Sequence, residues 1–290
     1  MTESNKTAPI ATLIVSCPDR RGLVAGMAQF LTGHGANIVH AEQHRDTTTN
    51  IFFQRVQFDT SETFSDRAGL ERGLRELTER FQMSWRLSYA DHVPRVAIMV
   101  SKVEHCLYDL ILRQRARELR CEIPLVISNH TVLSPVAAQF DIPFRHVPVE
   151  KESPRQAAQT HLDLLREHRI DLVVLARYMQ IVPPSMIEAY PARIINIHHS
   201  FLPAFGGGRP YHQALERGVK LIGATSHYVT EILDEGPIIE QEVVRVSHRD
   251  NVEELVARGR DLEKLVLARA VKAHLEDRVI VCGKKTIVFN

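Results

Sequence analysis

The sequence predicts an α/β protein of two domains, because its apolar residues follow two different rhythms. Up to residue 90, short β-branched runs and amphipathic helices follow in the order β-α-β-β-α-β, which is a ferredoxin-like sandwich. From Val96 onward, apolar runs typical of buried parallel strands alternate with helical patterns, which indicates a Rossmann-like domain with a mostly parallel sheet. The predicted bounds are 8–90 for the first domain, 91–95 for the linker and 96–290 for the second domain.

The spacing of apolar residues predicts each element of the first domain in turn. A strand covers IATLIVSC and ends before Pro18. A helix follows, whose apolar residues recur at helical spacing: Leu23, Val24, Met27, Phe30 and Leu31. It ends at GHGAN, and two strands over NIVHAEQHR and NIFFQRVQFD come next. A second helix over SDRAGLERGLRELTERF and an alternating strand over MSWRLSYA complete the unit.

The second domain is predicted from apolar runs that are bounded by helical segments. Its strands are expected over VAIMVS, PLVISN, DLVVLARYM, RIINIH, KLIGATSHYV and PIIEQEVVRV. Its helices are expected over EHCLYDLILRQRARELR, SPRQAAQTHLDLLREH, PPSMIEAY, GRPYHQALERG and NVEELVARGRDLEKLVLARAVKAHLE. Ligands of such sheets bind beyond the carboxyl ends of the strands, so polar residues at those ends are the candidates for a site.

Composition and charge exclude several classes of function. The chain has 290 residues, of which 44% are hydrophobic and 24% charged, and its net charge of +1 argues against a nucleic-acid partner. No apolar stretch is long enough to span a membrane, and the N-terminus lacks the pattern of a signal peptide. The four cysteines are scattered without a framework spacing, which favours reduced thiols in a cytoplasmic protein.

The segment INIHHSFLPAFGGGRPYHQA concentrates the candidate chemistry. A phosphate site at Gly206–Gly208 lacks the spacing of either glycine-rich phosphate motif, so a pliant loop is the better interpretation. A nucleophilic role for Ser200 lacks the GxSxG turn. A metal site lacks the HExxH spacing, and neighbours on a strand such as His198 and His199 should point to opposite faces. The metal ligands would be His198, His199, His212 and His227.

An acid/base centre fits this segment best. Asn196 and His198 stand at i and i+2 at the end of a strand, so their side chains share a face about 6–7 Å apart along the chain. An amide beside an imidazole can hold a carbonyl oxygen as it becomes an oxyanion. A carboxylate is also needed, and Asp234 is the candidate, although an Asp before a Gly–Pro turn is more often only a turn former.

The first domain resembles the ACT domain, a small regulatory module that often binds amino acids and pairs across subunits. The resemblance lies in CPDRRGLVAGMAQFLTGHGANI, with Asp19, Arg20 and Gly22 at the turn after the strand and Asn37 at the next strand. It implies an amino-acid effector bound near Asp19, Gly22 and Asn37, and a homo-oligomer. Arg21 stands where that family commonly has proline, so a domain that only dimerises or docks remains an equal alternative.

The second domain resembles the formyltransferase family that uses 10-formyltetrahydrofolate. The resemblance lies in INIHHSFLPAF, RPYHQA, GATSHYV and LDEGPII, which agree with that family in order and spacing. It implies that Asn196, His198 and Asp234 converge on the formyl group and that His227 faces the same pocket. It also implies folate contacts, partly through backbone groups, from the segment LARYMQIV: Met179, Gln180, Ile181 and Val182.

The expected acceptor of the formyl group is water. After the first strand of the second domain the chain reads MVSKVEHCLYDLIL, without the glycines that a phosphorylated acceptor would need. An ACT-like unit before such a catalytic domain is similar to the water-using branch of the family, which balances one-carbon folate pools and supplies formate for purine synthesis. Asp234 would then be the general base for water, a role best served by a raised pKa.

This interpretation needs no cofactor and no metal, since the folate is the substrate. Two alternatives stay open at this point. One is a formyltransferase with an acceptor other than water. The other is a binding protein that senses an amino acid through the first domain, which the retained set of Asn196, His198 and Asp234 argues against.

Overall fold

The structure, a computed structural model, describes residues 9–149, 154–203 and 210–290. The chain divides into two compact units. The first unit comprises Met1–His92, Asp277–Ile280 and Ile287–Asn290, and the second comprises Val93–Glu276 and Val281–Thr286. The residues after Glu276 are therefore divided between the two units, whereas the sequence analysis predicts one continuous second domain over 96–290.

The first unit has the β-α-β-β-α-β order that the sequence predicts, which confirms the ferredoxin-like fold. Its elements are β1 (Ile10–Pro18), α1 (Leu23–Gly33), β2 (Asn37–Asp46), β3 (Ile51–Asp59), α2 (Arg67–Phe81) and β4 (Ser84–Tyr89). The four strands form one sheet in the order β2-β3-β1-β4. Strand β1 lies in its centre, antiparallel to both β3 and β4.

The core of the first unit follows from the predicted periodicities. Alternate residues of β1 pack against the buried stripe of α1, which consists of Leu23, Met27 and Leu31. Gly35 ends the connection after α1 with a φ of +80°, and a Cβ there would lie 2.6 Å from the carbonyl oxygen of Glu62. Glycine is therefore required at this turn for both its conformation and its lack of a side chain.

The second unit contains a seven-stranded sheet in the order β11-β10-β9-β8-β5-β6-β7. Its strands are β5 (Arg95–Val100), β6 (Glu122–Ser128), β7 (Phe144–His146), β8 (Leu172–Leu175), β9 (Ile194–His198), β10 (Leu221–Tyr228) and β11 (Ile238–Arg245). Five of them, from β7 to β9, are parallel, and β10 and β11 extend one edge antiparallel. The prediction of a mostly parallel sheet is confirmed.

Helices connect these strands. They are α3 (His105–Arg115), α4 (Ser134–Gln139), α5 (Pro154–Glu167), α6 (Pro184–Ala189), α7 (Pro210–Arg217) and α8 (Val252–Leu275). The sequence patterns do not predict α4, β7 or the short hairpin of β12 (Val279–Cys282) and β13 (Lys285–Val288), since each spans only three to six residues. Strand β8 is shorter than the predicted run, because the chain turns at Arg177, whose φ is +63°.

The carboxyl ends of β5, β8 and β9 meet at one edge of the sheet, where α/β proteins bind ligands. Polar contacts hold the loops at this edge. The hydroxyl of Ser101, just after β5, accepts a hydrogen bond from the Met179 backbone N–H at 2.9 Å and donates one to Asn129 at 2.7 Å. Within the described part of the chain, no helix combines the length and apolar character that crossing a membrane requires.

Candidate active site

A cavity of about 540 Å³ opens at this edge of the sheet. Its lining brings together all the residues that the sequence assigns to catalysis and folate contact. They are Asn196, His198, His227, Asp234, Met179, Gln180, Ile181 and Val182. Segments far apart in the sequence thus share one concave site, whose size suits a small organic ligand. Gly206–Gly208 lies outside the described residues.

Strand register places His227 beside Asn196. Strands β9 and β10 are antiparallel, and Asn196 pairs directly with His227, so the two side chains project from the same face of the sheet. The amide nitrogen Nδ2 of Asn196 lies 3.3 Å from Nε2 of His227. The i, i+2 spacing puts His198 on that face as well, at the end of β9.

The hydrogen bonds of His227 define where its proton lies. Its Nδ1 is 2.9 Å from the carbonyl oxygen of Tyr228, which can only accept, so Nδ1 carries a hydrogen. Burial of the ring lowers the pKa of His227, so the imidazole is neutral and its Nε2 is an acceptor. Nε2 therefore accepts a hydrogen bond from the amide of Asn196 and fixes which way that amide points.

Asp234 reaches the histidines from a tight turn that follows β10. Its Oδ1 lies 3.3 Å from Nδ1 of His198 and 3.8 Å from Nε2 of His227. The backbone of Asp234 is left-handed, with a φ of +57°. Two residues later, a Cβ on Gly236 would lie 1.6 Å from the carbonyl oxygen of Tyr228, so only glycine lets the turn pack this closely against β10.

The pKa of Asp234 is lowered, chiefly by the hydrogen bond from His198, with burial acting in the opposite direction. The sequence analysis expects a raised pKa for the general-base role. The structure gives a shift in the opposite direction, because an imidazole that is distant in the sequence donates a hydrogen bond to this carboxylate. Asp234 is consequently ionised at neutral pH and keeps the proton of His198 on Nδ1. The other nitrogen of His198, Nε2, is buried and has no hydrogen-bond partner among the described residues.

The expectation that His199 faces the opposite side of the strand is wrong. Strand β9 ends at His198, so the alternation of side chains ends there too. The rings of His198 and His199 stack with centroids 5.0 Å apart, and both line the cavity. Burial lowers the pKa of His199 to about 4, so this ring is neutral.

The segment assigned to the folate presents apolar side chains to solvent at the cavity. Met179 is 59% exposed and Ile181 is 77% exposed, whereas Val182 is buried. Ile232 and Leu233 also line the cavity and are 58% and 66% exposed. Large exposed apolar side chains in one lining are typical of a binding site for a flat, partly apolar ligand. The sequence analysis did not find Ile232 and Leu233, since no periodicity marks this loop.

The residues assigned to an effector lie in the first unit. Asp19 follows β1 and forms an ion pair of 2.8 Å with Arg45, Gly22 is the N-cap of α1 with a φ of +89°, and Asn37 begins β2. A Cβ on Gly22 would meet nothing within 4 Å, so the glycine is explained by its backbone conformation alone. An effector at this turn stays a prediction.

A second polar group on the cavity lining was not predicted. Glu263 of α8 is only 2% exposed and contacts His105, Arg177 and Tyr211. Its sequence signal is weak, because one glutamate within a long charged helix looks like an ordinary exposed residue. Of the described residues, the group that could share a metal ion is His105, Cys106 and Glu263, whose ligand atoms lie within 4.8 Å of one another.

Comparison with known proteins agrees with both halves of this architecture. Residues 94–271 match the formyl transferase family and residues 11–77 match the ACT domain. The fold and the cavity thus define an ACT-containing protein of the formyl transferase class.

Two relatives of known name define the family of the chain more closely. It is 52% identical to a formyltetrahydrofolate deformylase of Synechocystis sp., over 96% of this chain and 98% of that protein. The crystal structure of a formyltetrahydrofolate deformylase from Pseudomonas syringae superposes with a TM-score of 0.96 at 48% identity, covering 99% of this chain and 96% of that one. This chain belongs to the formyltetrahydrofolate deformylase family.

The chain also has a more distant relative that covers less of its length. A glycinamide ribonucleotide transformylase from Symbiobacterium toebii superposes with a TM-score of 0.66 at 32% identity. The match covers 71% of this chain and 98% of that one. The same fold therefore occurs in a protein named for a ribonucleotide acceptor, which makes the identity of the acceptor a question for the site itself.

Proposed function

We propose that this chain hydrolyses 10-formyltetrahydrofolate to tetrahydrofolate and formate. The observation that carries the proposal is the convergence of Asn196, His198 and Asp234 on one cavity, in a chain about half identical to a named deformylase over nearly its whole length. An amide, an imidazole and a carboxylate are the groups that addition of water to a formyl amide requires.

In this proposal the folate binds with its ring system against Met179–Val182. Asn196 and His198 hold the formyl oxygen as negative charge develops on it. The second hydrogen of the Asn196 amide is available for this task, since the first is directed at His227. His198 can donate from Nε2 when both ring nitrogens carry a hydrogen, and its Nδ1 then faces Asp234 at 3.3 Å.

Asp234 has the second role of receiving the proton of the attacking water. Its lowered pKa keeps it in the form that accepts a proton, and the water becomes far more acidic as its oxygen bonds to the formyl carbon. The carbon–N10 bond then breaks, N10 takes the proton that Asp234 received from the water, and formate leaves. His227 acts through Asn196, whose amide it orients.

The test is incubation of the protein with 10-formyltetrahydrofolate in buffer alone, following both tetrahydrofolate and formate. The proposal expects both products in equal amounts at enzymatic rates. A transferase with another acceptor would release them only when that acceptor is added, and a sensor without turnover would release neither. Absence of both products in buffer therefore overturns the proposal.

Three further proposals accompany this function. The ACT unit binds an amino-acid effector at the turn containing Asp19 and Gly22, which a change of hydrolysis rate on titration with single amino acids would reveal. The protein assembles as a homo-oligomer, which sedimentation tests. It works in the cytoplasm, in agreement with its four free cysteines.

A further inference from the structure

The strand end that carries His198 is held by two polar side chains that do not themselves line the cavity, Thr225 and Gln241. The three residues lie side by side on β9, β10 and β11, because Thr225 pairs with His198 on one side and with Gln241 on the other. Residues that pair directly across antiparallel strands project from the same face of the sheet. Thr225 is completely buried, so its hydroxyl must find hydrogen-bond partners within the protein.

The hydroxyl of Thr225 binds the segment of chain that follows β9. It donates to the carbonyl oxygen of Ser200 at 2.9 Å and accepts from the backbone N–H of Leu202 at 3.0 Å. It also accepts from Nε2 of Gln241 at 2.9 Å, and the same nitrogen donates to the carbonyl oxygen of Leu202 at 3.1 Å. The hydroxyl hydrogen, its two lone pairs and both hydrogens of the amide are all used, so the directions of the four hydrogen bonds are fixed.

These hydrogen bonds determine how the chain leaves β9 and where the ring of His199 lies. Strand β9 ends at His198, and Ser200 is only two residues further along the chain. The ring of His199, between them, stacks on the ring of His198 with centroids 5.0 Å apart. Holding Ser200 therefore holds His199, which supports one face of the His198 ring. The proposed mechanism depends on this ring, whose Nδ1 lies 3.3 Å from Asp234.

Loss of the Thr225 hydroxyl would leave buried backbone groups without partners. Ser200 and Leu202 are only 4% and 8% exposed, so water does not readily replace the hydroxyl. Unpartnered buried groups cost free energy, and the chain lowers that cost when it moves towards new partners. Such a movement displaces His199 and the ring that it supports. A misplacement of about 1 Å can lower a rate by about 10²-fold, so a small shift is sufficient to reduce hydrolysis.

We propose that Thr225 and Gln241 are positioning residues for His198: they fix the chain after β9 so that the His198 ring stays beside His199 and faces Asp234. This inference rests on the proposed hydrolysis. Neither positioning residue lines the cavity in which the folate binds, so the effect of their loss is expected in kcat rather than in KM.

The experiment measures kcat and KM for 10-formyltetrahydrofolate with the full-length protein, corrected for the folded fraction from thermal unfolding. Thr225→Val nearly keeps the side-chain volume and removes the hydroxyl, whereas Thr225→Ser keeps the hydroxyl and removes a methyl group. Thr78→Val is the matched control. Thr78 lies in the first unit, is also buried, and donates from its hydroxyl to a backbone carbonyl oxygen at 2.9 Å.

Thr225→Val is expected to lower kcat by about 10–100-fold and to change KM by less than about twofold. Thr225→Ser should keep kcat within about threefold of the wild type, although loss of a buried methyl group lowers its stability. Thr78→Val should keep both constants. If Thr225→Val does not fold, Gln241→Leu is the second variant. It removes the two hydrogen bonds from the amide and is expected to lower kcat by about threefold to tenfold.

A double-mutant cycle tests whether the effect passes through His198. In the His198→Ala background the imidazole that Thr225 positions is absent. Addition of Thr225→Val to that background is therefore expected to change kcat by less than about twofold, measured as single-turnover release of formate. A role of Thr225 in folding alone would not produce this coupling.

Two results would overturn the inference while leaving hydrolysis intact. One is a wild-type kcat in folded Thr225→Val and Gln241→Leu, since the hydrogen bonds would then stabilise the fold only. The other is the same loss of kcat on adding Thr225→Val with and without the His198 imidazole, since the hydroxyl would then act by another route. Failure of the wild type to release formate in buffer would instead overturn the proposed function, so the two failures are distinguishable.

Discussion

Replacement of Asp234 by asparagine tests the centre of the proposed mechanism. The side chain keeps its size and polarity but loses the charge that faces His198. At the observed 3.3 Å between Nδ1 and Oδ1, Coulomb attraction between a carboxylate and an imidazolium is about 5 kcal/mol at an effective dielectric constant of about 20. The carboxylate faces the reacting group rather than the folate rings, so its loss is expected to raise the barrier more than to weaken substrate binding.

Asp234→Asn is therefore expected to lower kcat by about 10³–10⁴-fold. Folate binding should change little, because the exposed apolar residues of the lining are untouched. The assay is single-turnover release of tetrahydrofolate, with the dissociation constant of tetrahydrofolate measured in parallel. Glu235→Gln is the matched control, since Glu235 is the next carboxylate in the turn, is exposed, and pairs with Lys284 rather than with a histidine. Hydrolysis by Asp234→Asn within tenfold of the wild type would refute the assignment.

Three further predictions follow from the same geometry. His198→Ala should lower kcat by about 10²–10³-fold if the imidazole is an oxyanion donor, and an unchanged kcat would remove it from the mechanism. Because the pKa of Asp234 is lower in the folded protein, its contribution to stability is complete above the unfolded value of about 3.9 and is lost as pH falls through the folded value. Urea unfolding of the wild type and Asp234→Asn should therefore differ most near neutral pH and converge in acid, and a constant difference would contradict the pKa shift. Gly236→Ala should destabilise by about 1–3 kcal/mol and reduce activity, since its Cβ would displace the turn that carries Asp234. Gly33→Ala, where a Cβ meets nothing within 4 Å, is the control, and equal stability of the two variants would argue against the close packing.

Local periodicity was sufficient to predict the fold and the half of the site that lies on one strand. The apolar runs located the long elements, and the spacing of Asn196 and His198 gave their common face. Short elements such as α4 and β7 were not predicted, because three to six residues are too few to show a helical or strand periodicity. The interpretation of His199 failed for a related reason: the alternation rule was applied one residue beyond the end of β9.

Long-range features could not be predicted from residue patterns alone. The approach of Asp234 to His198 depends on the antiparallel return of β10 and on a turn made tight by Gly236, and only the resemblance to a family joined the two in the sequence. The lowered pKa of Asp234 depends on a donor that is distant in sequence. Glu263 is recognisable only when α8 is seen against the cavity, because its partners come from three other segments.

Three of the histidines that line the cavity, His198, His199 and His227, differ in the environment of their rings. Burial holds His199 and His227 in the neutral form, and His227 also has its Nδ1 proton committed to a backbone carbonyl. His198 is the one of the three whose closest polar partner is an ionised carboxylate, at 3.3 Å. At the other carboxylate of the cavity, the charge of Glu263 is already balanced by Arg177. The proton of the attacking water is therefore expected on Asp234, beside His198 and Asn196, where the formyl oxygen acquires its negative charge.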